Sequence, residues 1–313
     1  MEYILIDMFK TGLPYALLAL GIFISYRVLD IADLSCEGTF TLGGALSAVL
    51  LVRDVNPFLA TLLGMFAGFI AGIITGLIHT KLNITALLSG IITMTGLFSI
   101  NLVIMGFGNL NSDSGYGALV NLNGKDVNGN AIETIYNSFL AIFNKNNYNM
   151  IFISLIIVII IGCIMYWFFG TEIGMSLRAT GINPNMARAQ GINTNVMIIL
   201  GLGIGNALIA LSGSLFAQTQ KSASSTMGVG VLVIGLASII IGEGIFGKRT
   251  FKNWMISVLL GAVLYYLIIV IAIQLGLPSH YQKLLYALLI LIVLAVPQLR
   301  KTLFNGGKKH GNA

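Results

Sequence analysis

Charge is scarce in this chain, since only 9% of its 313 residues are Asp, Glu, Lys or Arg. An average soluble protein has roughly a quarter of its residues charged. With 57% apolar residues and a mean hydropathy of +0.92, the chain has too little polar surface to face water, which excludes a soluble globular protein. Cysteine is rare as well, and the distance in sequence between Cys36 and Cys163 argues against a disulfide framework.

Long uncharged stretches are what the sequence has instead, and they predict an all-α polytopic membrane protein, a single transmembrane domain over 1–313. Nine crossings are the simplest count. They are expected at 11–26, 38–52, 55–80, 82–112, 146–171, 189–220, 222–242, 253–282 and 284–299. Two of these stretches, 38–52 and 222–242, are rich in Gly, Ser and Thr, which predicts discontinuous helices there.

Basic residues are distributed unequally between the two ends of the predicted spans, with eleven on one side and six on the other. The side with eleven is predicted to be cytoplasmic. This places the N-terminus outside, the tail 300–313 inside and the loop 107–148 outside. The same distribution argues against a nucleic-acid partner, because the basic residues flank membrane spans.

The loop 107–148 carries its own local patterns. Asn123-Gly124 predicts a short hairpin between 119–122 and 125–127. Asn130 is predicted to cap a helix whose apolar stripe would lie along the outer membrane surface. The members of that stripe are Ile132, Ile135, Tyr136, Phe139 and Phe143.

Glycine is abundant, and four glycines share a spacing of four residues within one predicted span. They are Gly64, Gly68, Gly72 and Gly76. Small residues at this spacing let two helix backbones approach closely. The pattern predicts that another helix packs against this face.

The predicted cytoplasmic segment 172–195 has an elaborate set of helix stops and starts. One short helix is expected to end at Gly181, and Asn183 to cap the next, with Pro184 in its first turn and Gly191 at its end. Such a helix presents a small exposed knob that a soluble partner can bind. The residues predicted to serve this contact are Arg178, Gly181, Asn183, Pro184, Met186, Ala187, Arg188 and Gly191.

Carboxylates near membrane spans allow two interpretations. Asp30, Asp33 and Glu37 are spaced to share one helix face, where they either cap helix ends or lie in a transport path. In the second case the chain could be an ion-coupled secondary transporter or channel. An enzyme is not expected, because no metal-ligand cluster or nucleophile motif is present and the glycine-rich 242–248 has Arg249 where a phosphate-binding loop needs Ser or Thr.

The segment 171–193 resembles the coupling segment of the membrane subunit in ATP-binding-cassette importers. Specifically, the chain is similar to the branched-chain amino acid and ribose permease family. Further resemblances lie at 12–21, 33–45 and 228–242, so that most of the chain outside the 107–148 loop is covered. The sequence from Asp33 to Phe40 and from Arg178 to Pro184 is most similar to a branch of the family that is proposed to carry aromatic amino acids such as tryptophan or tyrosine. It departs from the ribose pattern.

The resemblance implies a permease in a prokaryotic plasma membrane that works with a cytoplasmic ATPase dimer, an extracytoplasmic solute-binding protein and a second permease. A homodimer is expected, and a heterodimer with a different permease is the alternative. ATP and Mg²⁺ would bind to the ATPases, and this chain would carry no cofactor. The translocation path is expected where polar side chains interrupt the broken spans and the fourth span. These residues are Glu37, Thr39, Thr41, Ser89, Thr93, Thr95, Asn101 and Ser238.

Overall fold

The computed structural model describes residues 2–108, 118–124, 127–128, 130–138 and 146–275, with three further positions at 284, 288 and 291. The described elements are, in chain order, α1 (Glu2–Phe23), a π-helical turn (Ile24–Val28), α2 (Ser35–Val52), α3 (Pro57–Lys81), α4 (Ala86–Gly106), β1 (Leu119–Asn121), α5 (Ile135–Ser138), α6 (Asn146–Gly170), α7 (Glu172–Ile182), α8 (Pro184–Ala189), α9 (Thr194–Gln220), β2 (Ser222–Ser224), α10 (Val231–Phe246) and α11 (Phe251–Gln274).

Seven described helices are long and apolar enough to cross a membrane, namely α1 to α4, α6, α9 and α11. The helix α10 is apolar but only 16 residues long. The predicted ninth crossing at 284–299 lies outside the described residues apart from three helical positions, and the tail 300–313 lies outside them entirely. The all-helical membrane architecture is therefore present in the described part of the chain.

The two predicted interruptions differ from each other. The helix α2 is unbroken from Ser35 to Val52, so the predicted break within 38–52 is wrong. The chain is instead interrupted just before α2, at 29–34, after the π-helical turn. In the second segment, 222–242, a short strand and a turn lead into α10, so that helix occupies only its second part.

The helices α1, α2 and α9 form the interior of the bundle. α9 contacts α1, α2 and α3, and nearly every residue of α2 is buried. Polar side chains between these helices donate hydrogen bonds to neighbouring backbones: Ser212 Oγ to Pro14 O at 2.7 Å and Ser214 Oγ to Gly43 O at 2.9 Å. Such bonds satisfy hydroxyl groups that have no access to water.

The helix α3 has two different faces. Gly64, Gly68, Gly72 and Gly76 face α9 so closely that a Cβ on any of them would meet α9 atoms at under 3 Å. The opposite face carries exposed Phe66 and Ile70, as expected for a surface in contact with lipid. The spacing of four keeps the glycines on one side because a helix turns once in 3.6 residues.

The loop 107–148 is described in part, and two predictions for it are wrong. β1 pairs antiparallel with β2, with Val120 opposite Ala223, and not with 125–127 in a hairpin. Asn130 does not cap a helix, because α5 begins at Ile135. Ile132, Ile135 and Tyr136 are buried and not spread on a membrane surface, while positions 139 and 143 lie outside the described residues.

Tyr136 ties this loop to the bundle. Its hydroxyl accepts hydrogen bonds from Ser154 of α6 at 3.2 Å and Thr219 of α9 at 3.1 Å. Burial raises the pKa of the Tyr136 phenol above its ordinary value, although these two hydrogen bonds oppose the rise. The phenol therefore stays protonated and neutral in its buried position.

Candidate functional site

The interruption before α2 is closed by backbone hydrogen bonds and one carboxylate. Ile31 N donates to Ser25 O at 2.9 Å, and Asp30 has a φ of 57°, in the left-handed region that Asp tolerates better than most residues. Asp33 Oδ1 then accepts from Ser35 N at 2.8 Å, which satisfies one of the free N–H groups at the start of α2.

Asp33 is buried and also contacts the middle of α9. Its Oδ2 accepts a hydrogen bond from Asn206 Nδ2 at 2.7 Å, and Ser35 Oγ lies 3.4 Å from Asn206 Oδ1. Asn206 lies near the middle of a 27-residue helix, so this polar cluster is at mid-bundle depth. Sequence reasoning missed Asn206, and the signal that could have found it is an amide at the centre of an apolar span.

The turn after β2 reaches the same end of α2. Gly228 N donates to Thr41 Oγ1 at 3.1 Å, and Gly230 N donates to Glu37 Oε1 at 3.0 Å. Gly230 has a φ of 89°, which favours glycine, and α10 begins directly after it. Two irregular segments far apart in sequence therefore meet at Glu37 and Thr41.

A small cavity of about 30 Å³ lies at this meeting point. Asn101 of α4 is at its edge and donates from Nδ2 to Gly38 O at 3.1 Å. Phe98 and Val229, which also line it, are about half exposed. The lining residues are Glu37, Gly38, Thr41, Met94, Phe98, Asn101, Ser225 and Val229. The structure thus brings together three of the eight predicted path residues.

The other five predicted path residues lie elsewhere. The hydroxyl groups of Thr39, Ser89, Thr93 and Ser238 are buried and donate to carbonyl groups of their own helices. Thr75 additionally donates to Thr93 at 3.0 Å. Thr95 is exposed on α4 and donates to its own helix as well. These hydroxyl groups take part in helix packing or lie on an outer surface and do not line the described cavity.

The three carboxylates Asp30, Asp33 and Glu37 do not share a helix face, contrary to the prediction. Asp30 and Asp33 belong to the non-helical link, and only Glu37 lies in α2. Asp30 is exposed, whereas Asp33 is buried. Their close spacing in sequence indicated a common face only if the helix began before Asp30.

The segment 172–195 folds as two short capped helices. Thr171 Oγ1 accepts from Gly174 N at 3.3 Å, and Asn183 Oδ1 accepts from the N–H groups of Asn185 and Met186, each at 3.1 Å. Gly191 has a φ of 82°, and Asn193 caps the start of α9. The first helix ends at Ile182, one residue beyond the predicted Gly181.

The exposed surface of this segment is mixed, with two prominent apolar side chains among polar ones. Ile182 is 83% exposed and Met186 is 60% exposed, whereas Ala187 is 2% exposed and does not belong to the surface predicted for it. Arg188 is exposed, and its Nε donates to Thr194 Oγ1 at 2.8 Å. The helices α7 and α8 together form a small protrusion, called the knob below. Its two exposed apolar side chains, Ile182 and Met186, are suited to contact with a protein partner. Sequence reasoning missed Ile182, which directly precedes the capping Asn183.

The knob is tightly connected to the bundle. Gly181 lies against Val28 O so closely that a Cβ there would clash, and Leu177 is fully buried beside Gly201 of α9. The Arg178 guanidinium lies over the Phe251 ring of α11, with Cζ 4.3 Å from the ring centroid. The two short helices therefore contact the π-helical turn, α9 and α11.

An ion pair lies at the end of the bundle that α7 and α8 contact. Arg27 Nη2 and Glu243 Oε2 are 2.8 Å apart, and Trp254 Nε1 donates to Glu243 Oε1 at 2.8 Å. This contact joins the π-helical turn, α10 and α11. Glu243 is thus engaged by two protein donors.

Within the described ranges, no group of three or more His, Cys, Asp or Glu residues is arranged to hold a metal ion. His79 contacts Ile84 O at 2.7 Å through Nδ1. The described residues thus offer a small cavity and a contact surface. Neither has the arrangement of a hydrolytic site.

Comparison with known proteins places these features in a family. The family model described as branched-chain amino acid transport system / permease component matches residues 4–294. The chain is 36% identical over 299 residues to the tyrosine transport system permease protein of Clostridioides difficile, which covers 96% of this chain and 93% of the relative.

More distant relatives are similar over nearly the whole chain. An uncharacterized protein of Rickettsia prowazekii is 30% identical, covering 93% of this chain and 97% of the relative. The galactofuranose transporter permease protein of Escherichia coli is 23% identical, covering 94% and 80%. Among solved structures, none matches the chain significantly.

Proposed function

Because the chain belongs to the family of permease components of branched-chain amino acid transport systems, we propose that it is the membrane subunit of an ATP-driven importer. The observation that carries the proposal is the capped knob of α7 and α8, which exposes Ile182 and Met186 while remaining fixed to three elements of the bundle. A motor on another polypeptide needs such an attachment point, because force passes only through contiguous contacts.

The proposed assembly contains two copies of this chain, a cytoplasmic ATPase dimer that binds ATP and Mg²⁺, and an extracytoplasmic solute-binding protein. The knob faces the cytoplasm of a prokaryotic cell, and the N-terminus lies outside, in keeping with the excess of basic residues on the knob's side. The path runs between the two copies, and the cavity at Glu37, Thr41 and Asn101 marks the part of its wall that this chain contributes.

The proposed cargo is an amino acid with an aromatic side chain. Support comes from the relative named for tyrosine transport and from the cavity lining, where the Glu37 carboxylate stands beside Met94 and Phe98. A carboxylate suits an ammonium group, and a thioether with an aromatic ring suits an aromatic side chain. The cavity of about 30 Å³ has room for about one water molecule, so it would have to widen to admit this cargo.

Movement of the knob has a direct route to this cavity. Gly181 touches the π-helical turn at Val28, and the link 29–34 leads from that turn to the start of α2, where Glu37 lies. Glu37 in turn accepts a hydrogen bond from the backbone N–H of Gly230, just before the start of α10. A shift of the ATPases would therefore reposition both irregular segments that line the cavity.

Charged substitution of the knob tests the proposal. In the assembly with the ATPases and the binding protein, Ile182→Asp and Met186→Asp should each reduce ATPase co-purification at least tenfold and abolish substrate-stimulated ATP hydrolysis. Both side chains are exposed, so the folded yield of the permease should not change. Leu275→Asp is a matched control, because Leu275 is 82% exposed at the opposite end of the molecule. Normal stimulation in the Ile182 and Met186 variants would refute the docking role.

A further inference from the structure

A cavity of about 490 Å³ lies beside the knob, where α6 ends and α7 and α11 begin. Its lining includes Arg178, Lys252 and the exposed rings of Tyr166 and Trp167, together with the helix-capping Thr171 and Thr250. Trp and Tyr prefer the membrane–water interface, so the cavity lies at the depth of lipid headgroups.

The cavity is electropositive. Two of its lining residues are cationic and none of those described is acidic. The ion pair found in the described part of the chain uses Arg27, so neither Arg178 nor Lys252 is paired with a carboxylate there. The amino-terminal end of α11 adds partial positive charge, whereas Glu172 in the first turn of α7 offsets that of α7.

An apolar groove continues from this cavity along the membrane-facing side of α6 and α11. Its volume is about 300 Å³, and it shares Tyr166 and Lys252 with the cavity. The remaining walls are apolar, with Val158 and Gly162 of α6 facing Met255 and Leu259 of α11. A ligand that fills both spaces must have an anionic head and a hydrocarbon tail.

We infer that this composite site binds an anionic phospholipid from the leaflet on the knob's side of the membrane. The phosphate lies between Arg178 and Lys252, and an acyl chain occupies the groove between α6 and α11. Arg and Lys are the usual partners of phosphate, and basic recesses between transmembrane helices suit anionic headgroups. Bound there, the lipid would join the knob to α6 and α11. The inference does not depend on the proposed function.

Titration of the isolated permease with lipid tests the inference without the ATPase. The chain is delipidated in detergent and titrated with phosphatidylglycerol or phosphatidylcholine, and bound lipid is counted by native mass spectrometry. We expect phosphatidylglycerol to be retained at least tenfold more strongly than phosphatidylcholine. The double variant Arg178→Gln/Lys252→Gln should lose this preference. The control Lys81→Gln/Arg188→Gln removes the same charge outside the cavity and should stay within twofold of the parent.

The groove is tested separately by filling it. A Cβ on Gly162 would be only 3.7 Å from Leu259 Cδ1, so Gly162→Leu should occupy the acyl site and reduce phosphatidylglycerol retention at least fivefold. Gly96→Leu is the control, because Gly96 is exposed with nothing within 4 Å of the added Cβ. Glycerol phosphate, which has no acyl chains, should not compete.

Three results would overturn the inference. They are equal retention of the two lipids by the parent, unchanged retention in both the charge and the groove variants, and displacement of the lipid by glycerol phosphate. If the double charge variant fails to fold, Lys252→Gln alone with Lys81→Gln as its control gives the same comparison, since Lys252 is exposed.

Discussion

Asn206 shows how one polar residue can organise the interior of a membrane protein. Its amide donates both to Asp33 Oδ2 and to Leu202 O, and it joins the link before α2 to the middle of α9. In hydrocarbon a polar group without a partner is costly, so each member of such a pair stabilises the position of the other. The position of Asp33 therefore depends on a residue 173 positions away.

Replacing Asn206 with Leu should destabilise the chain, because Asp33 would lose its 2.7 Å donor while remaining buried. The expected cost is about 1–3 kcal/mol, the range for leaving a buried polar group unsatisfied. It is measured as a lower midpoint of thermal unfolding in detergent. Asn101→Leu is the comparison and should cost less, because among the described residues Asn101 donates only to the neutral Gly38 carbonyl. Equal midpoints for Asn206→Leu and the parent would show that the pair contributes nothing.

At the scale of elements, the contact between α3 and α9 is the most extensive among the described helices. The Gly68 Cβ position lies 2.6 Å from Asn206 O and still closer to Ala210 Cβ, so even a methyl group does not fit without a shift of the backbone. Lipid supplies no hydrophobic force that pushes helices together, and close packing of this kind is what holds them. The glycines are therefore required by contact and not by backbone conformation.

Gly68→Ala should accordingly lower the folded yield and the unfolding midpoint in detergent, by an amount equivalent to about 1–3 kcal/mol, the usual cost of overpacking. Gly96→Ala makes the same chemical change on α4, where no atom of the described part of the chain lies within 4 Å of the added Cβ. It should be neutral or stabilising, because Ala favours a helix over Gly. Size-exclusion chromatography and thermal unfolding measure both. If the two variants behaved alike, close packing at Gly68 would not be the reason for its glycine.

Local patterns in the sequence predicted most helices and missed most contacts between distant segments. The caps at Asn183 and Asn193 were readable because a cap acts on N–H groups two or three residues away. The pairing of β1 with β2 could not be predicted from the sequence, because about a hundred residues separate the two strands and Asn123-Gly124 indicated a nearer partner. In the candidate site, Glu37 and Thr41 were predicted. The hydrogen bonds that they accept from Gly230 and Gly228 join residues 193 and 187 positions apart, which no local pattern encodes.

At the scale of the whole molecule, the carboxylates distinguish two modes of transport. An ion-coupled transporter needs a carboxylate that is free to bind and release its ion within the membrane. Here Asp33 is held by Asn206 and Ser35, Glu37 by Gly230, and Glu243 by Arg27 and Trp254. Asp30 is exposed at the end of the bundle. These contacts favour a permease whose conformational change is driven by a separate subunit over a transporter that is driven by ion binding to its own carboxylates.

The purified chain should therefore fail to accumulate solute when it is reconstituted alone in vesicles, whether a proton gradient, a sodium gradient or no gradient is applied. Adding the ATPases, ATP and the loaded binding protein should produce uptake at least tenfold above the background of empty vesicles. Labelled tyrosine and tryptophan serve as probes, and ribose serves as the control solute. Uptake by the chain alone under an ion gradient would instead establish the ion-coupled alternative.

Within the complete assembly, Glu37→Gln should lower uptake without abolishing ATP hydrolysis, because it changes the cavity and leaves the knob intact.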